Sequence, residues 1–394
     1  MVEQGAHGGT RLRRGPSLSI TTSAGSCFNL TEIEISALAS AVNVADGHAR
    51  FGLSASQQKI IGSLPELFHQ AAETPADLLD ADAHRAFLAG LGQHGALTGH
   101  EILSCYSSSV AMEILSRSLA ASGRLSVALI HPTFDNIPDI LKGVGARLRP
   151  VSEEQLSGGE PALPPGTDVL FITTPNNPTG WVLGPGQLAY WARQCARRDV
   201  ILALDTSFRG FDQNAQYDHY DVLSRAGCRY VVVEDTGKLW PTLDLKAGYL
   251  VFPQREELPL RRIYTDILLG ISPLVMLLVQ LFAEDASEGG FAELRRFIRA
   301  NRVVLREELA SQDSLSCPDP ASRVSVERVA VPASVTATQM WRDLSHSGVH
   351  MLPCSQFHWA DPVAGERYVR IALGRPPEVI QAAAAAIRGY AECR

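Results

Sequence analysis

No two of the seven cysteines stand in CxxC spacing; positions 27, 105, 195, 228, 317, 354 and 393 are scattered along the chain. That scatter excludes a disulfide framework or a zinc ribbon, and the thiols read as reduced, mostly buried groups of a cytoplasmic protein. Basic charge is also in short supply. Lys and Arg number 35 against 42 Asp and Glu, leaving a formal charge of −7. Such a chain has no electrostatic attraction to nucleic acid or to an anionic membrane. Long apolar runs are missing as well. Ile267 to Phe282 is shorter than a bilayer span requires and contains Pro273. It reads as a buried or interface helix interrupted near Ser272–Pro273. No internal repeat is evident.

What is present is ordinary for a globular protein. The 394 residues are 45% hydrophobic and 20% charged, enough for a core that divides into two domains. The Gly-, Ser- and Thr-rich start, with Arg11, Arg13 and Arg14, reads as a flexible tail over 1–28; a transit peptide is the alternative. From about residue 100, short β-branched runs alternate with amphipathic helices. The runs are Ser126–Ile130, Asp168–Thr174, Val200–Asp205 and Tyr230–Glu234, with a helix near 186–197. Alternation of this kind predicts an α/β fold with a mostly parallel sheet covered on both faces, its ligands at the strand ends. A long charged helix over about 290–311 leads to strands Val324–Val331 and Tyr368–Leu373 and an Ala-rich helix. These predict a smaller α+β C-terminal domain.

Chemistry-bearing residues recur at the ends of those strands. Thr173-Thr174-Pro175-Asn176-Asn177-Pro178-Thr179-Gly180 demands a tight turn. Asp205 ends the next strand, followed by Thr206-Ser207-Phe208. A carboxylate there is costly unless it meets a cation or caps a helix. The third run ends in Glu234-Asp235-Thr236-Gly237-Lys238, with Lys246 eight residues on. A lysine after a strand is usually solvated. Beside a second cation and the apolar Leu239-Trp240-Pro241, however, it loses its proton more readily, as a nucleophilic amine must. Ser107-Ser108-Ser109 precedes a helical stretch whose amides favour a phosphate.

In this order and spacing, with Arg370 in Val-Arg-Ile-Ala-Leu, these elements resemble the fold-type-I, aspartate-aminotransferase-like enzymes of pyridoxal 5'-phosphate (PLP). The resemblance implies a large domain with a mostly parallel seven-stranded sheet over 60–288, and an interdomain helix and small domain over 289–394. It implies that Lys238 carries PLP as a Schiff base and that Asp205 pairs with the pyridine nitrogen. By the same resemblance Asn177 meets the phenolic oxygen, and Phe134 stacks on the ring unless it is a core residue. Ser107, Ser108, Ser109, Ser207, Thr236 and Lys246 are implied to form a phosphate cup. Lys246 stands where arginine is usual, keeping the charge and losing the bidentate fork. Arg370 is implied to grip the substrate's α-carboxylate.

Further stretches are similar to the PLP-dependent L-arginine oxidases and hydroxylases. They are Asn43–Arg50, Cys105–Ser109, Thr206–Asp212, Glu234–Gly248 and Gln356–Trp359. This narrower resemblance implies L-arginine as substrate and dioxygen as co-substrate, with no metal and no flavin. The implied products, formed through a quinonoid intermediate, are 4-hydroxy-2-oxoarginine, 2-oxoarginine and ammonia, in natural-product biosynthesis. A guanidinium pocket needs carboxylates, a role the resemblance gives to Asp235, Asp46 and Glu34. Each also has a plain alternative: a strand-end turn residue, a turn residue before Gly47, and a first-turn helix charge. His48 is implied to be an acid/base or water-positioning residue. Thr31 and Glu34 are implied to lie on a lid helix within an arm over 29–59. The resemblance also implies a homodimer with the active site at the subunit interface. Two alternatives remain on the same residues: an oxidase that stops at 2-oxoarginine, and a conventional aminotransferase of a basic amino acid.

Overall fold

The computed structural model describes residues 30–37, 39–158, 163–242 and 244–394; the tail expected over 1–28 lies outside the described residues. The first described elements are a two-turn helix, α1 (Leu30–Ala37), and a two-residue strand, β1 (Val42–Asn43). Three helices follow, Ala55–Gly62, Leu64–Glu73 and Ala76–Gly90. The large sheet is then laid down by β2 (His100–Cys105), β3 (Ser126–His131), β4 (Arg147–Ser152), β5 (Val169–Thr173), β6 (Ile201–Asp205), β7 (Arg229–Asp235) and β8 (Gly248–Pro253). Its order is β2-β8-β7-β6-β5-β3-β4. The β4, β3, β5, β6 and β7 neighbours are parallel, while β8 runs antiparallel to both β7 and β2. The expected α/β architecture with a mostly parallel seven-stranded sheet is the one found.

Composition explains which strands lie where. β5 (VLFIT) and β6 (ILALD) are buried at every residue, as continuous apolar runs must be when helices cover both faces. β4 (RLRPVS) is exposed at Arg147, Arg149 and Pro150. At the sheet's edge a proline leaves no central ladder bond unmade. The helix Pro185–Arg198 crosses back from β5 to β6 and begins with proline at its first position. The apolar run around Pro273 divides as expected. Helix Leu260–Ile267 stops, and Pro273–Asp285 starts behind Ser272 and packs on Ala76–Gly90.

The helix Phe291–Leu309 leads to an antiparallel sheet of β9 (Val326–Ala330), β11 (Leu352–Pro353) and β12 (Tyr368–Ala372), ordered β11-β12-β9. Beside it β10 (Val349–His350) pairs in parallel with β1, which ties the N-terminal arm to this C-terminal layer. Helix α1 is seated on the same layer. Leu30, Ile33 and Ala37 pack with Leu352, Cys354 and Phe357. Among the described residues no helix is long and apolar enough to cross a membrane.

The seat of α1 contains a titratable group. The Leu30 amide donates to Asp135 Oδ2 at 3.2 Å, and Asp135 is buried. Burial pushes the Asp135 carboxyl up to about 7, with Glu34 and Asp139 adding to the rise and the Leu30 amide and Arg370 opposing it. A raised folded-state pKa contributes stability that is complete below the unfolded value and is lost as pH rises through about 7. Asp135→Asn keeps an acceptor for the amide and removes the charge. The variant's stability relative to the natural protein is expected to rise by about 2.5 kcal/mol between pH 5 and pH 8. Unfolding midpoints at the two pH values check this, and a gap that does not widen with pH contradicts it.

Candidate active site

The C-terminal ends of β3, β5, β6 and β7 open on one cavity of about 210 Å³. Its lining includes Glu34, Gly47, His48, Ser107, Ser108, Ser109, Phe134, Asn177, Asp205, Ser207, Asp235, Lys238, Lys246 and Arg370. Residues more than 300 positions apart in sequence thus meet where an open α/β sheet presents its ligand site. Thr236 and Asp46, two further expected site residues, are absent from that lining. The side chain of Thr31 lies outside the described part of α1.

At one end, Ser107 caps the helix Ser108–Ala121, its hydroxyl accepting from the Val110 amide at 3.3 Å. Ser107, Ser108 and Ser109, at the start of that helix, line this end of the cavity, a placement suited to an anion. A close approach makes this possible: a Cβ on Gly248 would fall 2.4 Å from the Ser107 carbonyl carbon and 2.5 Å from the Ser108 nitrogen. Lys246, which follows β7 through a short connection, supplies a cation to the same cavity.

Two expected members of the phosphate cup do other work. Thr236 Oγ1 donates to the Ala247 carbonyl at 2.9 Å and accepts from the Ala247 amide at 2.8 Å. Its hydroxyl is consumed in pinning the β7–β8 turn. Ser207 Oγ donates to Asp205 Oδ1 at 2.6 Å, and its amide to the same oxygen at 3.0 Å. Ser207 therefore orients the carboxylate rather than facing a phosphate.

Asp205 is fully buried, and that burial pushes its carboxyl up to about 6 against the lowering effect of the Ser207 bonds. A buried acid of this kind is relieved by a cationic partner, which a pyridinium N–H provides. Phe134 offers a ring to the cavity wall, and Asn177 an amide. Lys238 lies with Nζ 3.8 Å from Asp235 Oδ2. Asp235 also accepts from the Gly237 amide at 2.8 Å and from Ser108 Oγ at 3.4 Å. The donor set thus fits PLP: amides and a cation for the phosphate, an acid for the ring nitrogen, and an amine within the cavity. Among the described residues no group of His, Cys, Asp and Glu is placed to hold a metal ion.

Asp46 is placed differently from the expected guanidinium receptor. Its Oδ1 accepts from the His48 amide at 2.9 Å and from His48 Nδ1 at 2.7 Å, and its Oδ2 from Arg50 Nε at 2.5 Å. Burial opposes its charge, but His48 and Arg50 outweigh that and hold the carboxyl well below the usual range. Across the ring, His48 Nε2 lies 2.7 Å from Lys246 Nζ. An ammonium has no lone pair, so Nε2 must accept; the ring proton then sits on Nδ1 and is given to Asp46. Asp46 acts through His48, fixing its tautomer and orientation. Asp46→Asn is expected to retain the cofactor's absorbance while turnover drops about 10-fold or more. Turnover equal to the natural protein's at full occupancy would remove this role.

Arg375 was not singled out from the sequence. It is buried, and it donates to the carbonyls of Asn43 at 2.6 Å, His48 at 2.7 Å and Asp46. It thereby shapes the 43–48 loop that carries His48 into the cavity. Its only sequence signal is an arginine behind Leu373-Gly374. Arg370, which was singled out, is buried at the cavity wall with its plane 5.1 Å over Phe357.

A solved structure of MppP soaked with the product 2-ketoarginine superposes with a TM-score of 0.86 at 53% identity, covering 89% of this chain and 99% of that one. Capreomycidine synthase from Streptomyces vinaceus is 24% identical over 276 residues, 67% of this chain and 69% of that protein. Histidinol-phosphate aminotransferase from Shewanella amazonensis is 23% identical over 165 residues, 39% of this chain; the match spans only 45% of that relative's length. The family model for aminotransferase class I and II matches residues 76–387, and the chain belongs to that family, the fold-type-I enzymes of pyridoxal 5'-phosphate.

Proposed function

We propose that this protein catalyses the PLP-dependent, O2-consuming oxidation of L-arginine to 4-hydroxy-2-oxoarginine and 2-oxoarginine with release of ammonia. What supports the reading is the meeting, in one cavity, of an amine (Lys238), a buried guanidinium (Arg370) and two carboxylates (Glu34 and Asp235), in a chain 53% identical to MppP, whose structure was solved with 2-ketoarginine. When bound, PLP draws electrons from the substrate's α-carbon and so makes its proton removable.

The side chains divide the remaining work. Arg370 receives the α-carboxylate, and its planar fork orients the α-C–H bond toward Lys238. Lys238 Nζ attaches the cofactor and then moves the α-proton. Asp205 keeps a proton on the ring nitrogen, and Asn177 donates to the phenolic oxygen. Ser107, Ser108, Ser109 and Lys246 hold the phosphate. Asp235 and Glu34 receive the substrate guanidinium, and Thr31 and Glu34 lie on the helix that covers it. His48 positions water for addition at C4, its Nε2 being freed for this when Lys246 turns to the phosphate. We take the working unit to be a cytoplasmic homodimer.

Oxygen uptake by PLP-loaded protein given L-arginine, with mass spectrometry of the products, tests this. Uptake with a mass for hydroxylated 2-oxoarginine is expected. Uptake with 2-oxoarginine alone would reduce the activity to that of an oxidase. Turnover under nitrogen, dependent on an added keto acid, would return the chain to the aminotransferases, a second reading favoured by its family.

A further inference from the structure

Arg370 already holds a carboxylate. Its Nη2 donates to Glu34 Oε1 at 3.1 Å and to the Ala45 carbonyl at 2.5 Å, while Nη1 reaches Asn177 Oδ1 at 3.5 Å. Its Nε is buried without a partner. The Arg370 side chain is 1% exposed and that of Glu34 17%. Glu34 is delivered by α1, whose apolar side is seated on Leu352, Cys354 and Phe357 and whose first amide meets Asp135. The helix that covers the cavity thus presses its own carboxylate onto the group assigned above to the substrate's α-carboxylate.

We propose that Glu34 sets substrate specificity by exchange: it occupies Arg370 until an incoming α-carboxylate displaces it, and only a ligand bringing its own cation can then re-pair the displaced Glu34. The inference rests on the reading of Arg370 as the carboxylate site. Glu34 makes a single contact with the guanidinium, whereas a free carboxylate can make two parallel ones, so displacement has a local gain. Displacement by a neutral amino acid, however, leaves Glu34, whose side chain is only 17% exposed, ionised and without a counter-ion. That is the situation in which an unpaired charge is most costly. A guanidinium at the far end of the same ligand removes the cost. Before and after the exchange each carboxylate then has one cation, so charge balance is kept for arginine and broken for its neutral analogues. Asp235 is held by the Gly237 amide and not by Arg370, so the exchange does not release it, and it receives the guanidinium beside Glu34.

Two ligands without an α-amine isolate this effect from turnover: hexanoate, which carries a carboxylate only, and 5-guanidinopentanoate, which carries both groups. Calorimetric titration of the PLP-loaded natural protein is expected to favour 5-guanidinopentanoate strongly. In Glu34→Gln, hexanoate is expected to bind roughly tenfold tighter and 5-guanidinopentanoate roughly tenfold weaker, an approximately hundredfold collapse of the preference. The gain for hexanoate is the discriminating result. A loss confined to 5-guanidinopentanoate, with hexanoate unchanged, would make Glu34 a simple guanidinium receptor and overturn the exchange, leaving the proposed activity intact. If neither the natural protein nor the variant binds 5-guanidinopentanoate or turns over L-arginine, the arginine reading fails and the exchange with it.

Discussion

Lys238→Ala is expected to lose dialysis-resistant cofactor absorbance and to lower turnover by at least about 10⁴-fold. Two lysines line the cavity, and their surroundings decide between them. Lys246 Nζ is held by His48 at 2.7 Å and by Asp244 at 3.3 Å, the position of an anion-holding cation already engaged. Lys238 has a looser partner, Asp235 at 3.8 Å, and Gly47 faces its chain. A Cβ on Gly47 would stand 3.9 Å from Lys238 Cε, so the absence of a side chain there leaves the amine room to swing. Removing Lys238 also leaves Asp235 without its cation, and a drop in stability could be mistaken for loss of attachment. Lys238→Arg separates the two, because it keeps the charge opposite Asp235 and cannot hold PLP covalently. Both variants should bind PLP reversibly and release it on dialysis. Absorbance that survives dialysis in Lys238→Ala would transfer the attachment to another amine, with Lys246 the first to test.

The sequence made the frame and most of the cavity readable because both depend on local signals. Buried parallel strands announce themselves as unbroken apolar runs, and β5 and β6 were located to within a residue or two. β4 was not, because an exposed edge strand with Arg147, Arg149 and Pro150 has neither the run nor the alternation. Lys238, Asp205 and Asn177 were legible as residues at or just past strand ends in a spaced order, and Arg370 as an arginine within the apolar run of β12. The partners of a carboxylate were not legible in the same way. Asp46 read as a guanidinium receptor because it is an acid near His48, yet its orientation depends on Arg50 and on Arg375, 329 positions away. Thr236 and Ser207 were misplaced for a related reason. A hydroxyl near a phosphate loop can turn either way, and what turned these inward were the Ala247 backbone and Asp205. Position along the chain predicts which end of the sheet a residue reaches, but hydrogen-bond competition decides where its polar atoms point.

Breaking the ion pair behind the cavity should have the largest effect on stability. Arg209 and Glu234 are each 1% exposed, with Arg209 Nη2 2.8 Å from Glu234 Oε1. Glu234 also accepts from Tyr220 Oη at 2.8 Å and from Thr206 Oγ1 at 2.6 Å, and Arg209 Nη1 reaches His219 Nδ1 at 2.7 Å. Burial and the adjacent Arg209 charge hold His219 well below its ordinary pKa, so its ring is neutral and can accept. Glu234→Gln leaves the guanidinium buried without a counter-charge and is expected to cost about 3–5 kcal/mol, read from the denaturant midpoint. Arg209→Met should cost a similar amount, because it strands the carboxylate. The double variant should recover part of the loss, since neither charge is then left alone. The pair also holds the site in place: Thr206 follows Asp205 and Glu234 precedes Asp235, so loosening it displaces two cavity carboxylates together. PLP affinity should therefore fall in each single variant and recover in the double. Single variants within about 1 kcal/mol of the natural protein would show that the buried network is relieved by water, and Asp205 and Asp235 would then owe their placement to the β6–β7 ladder alone.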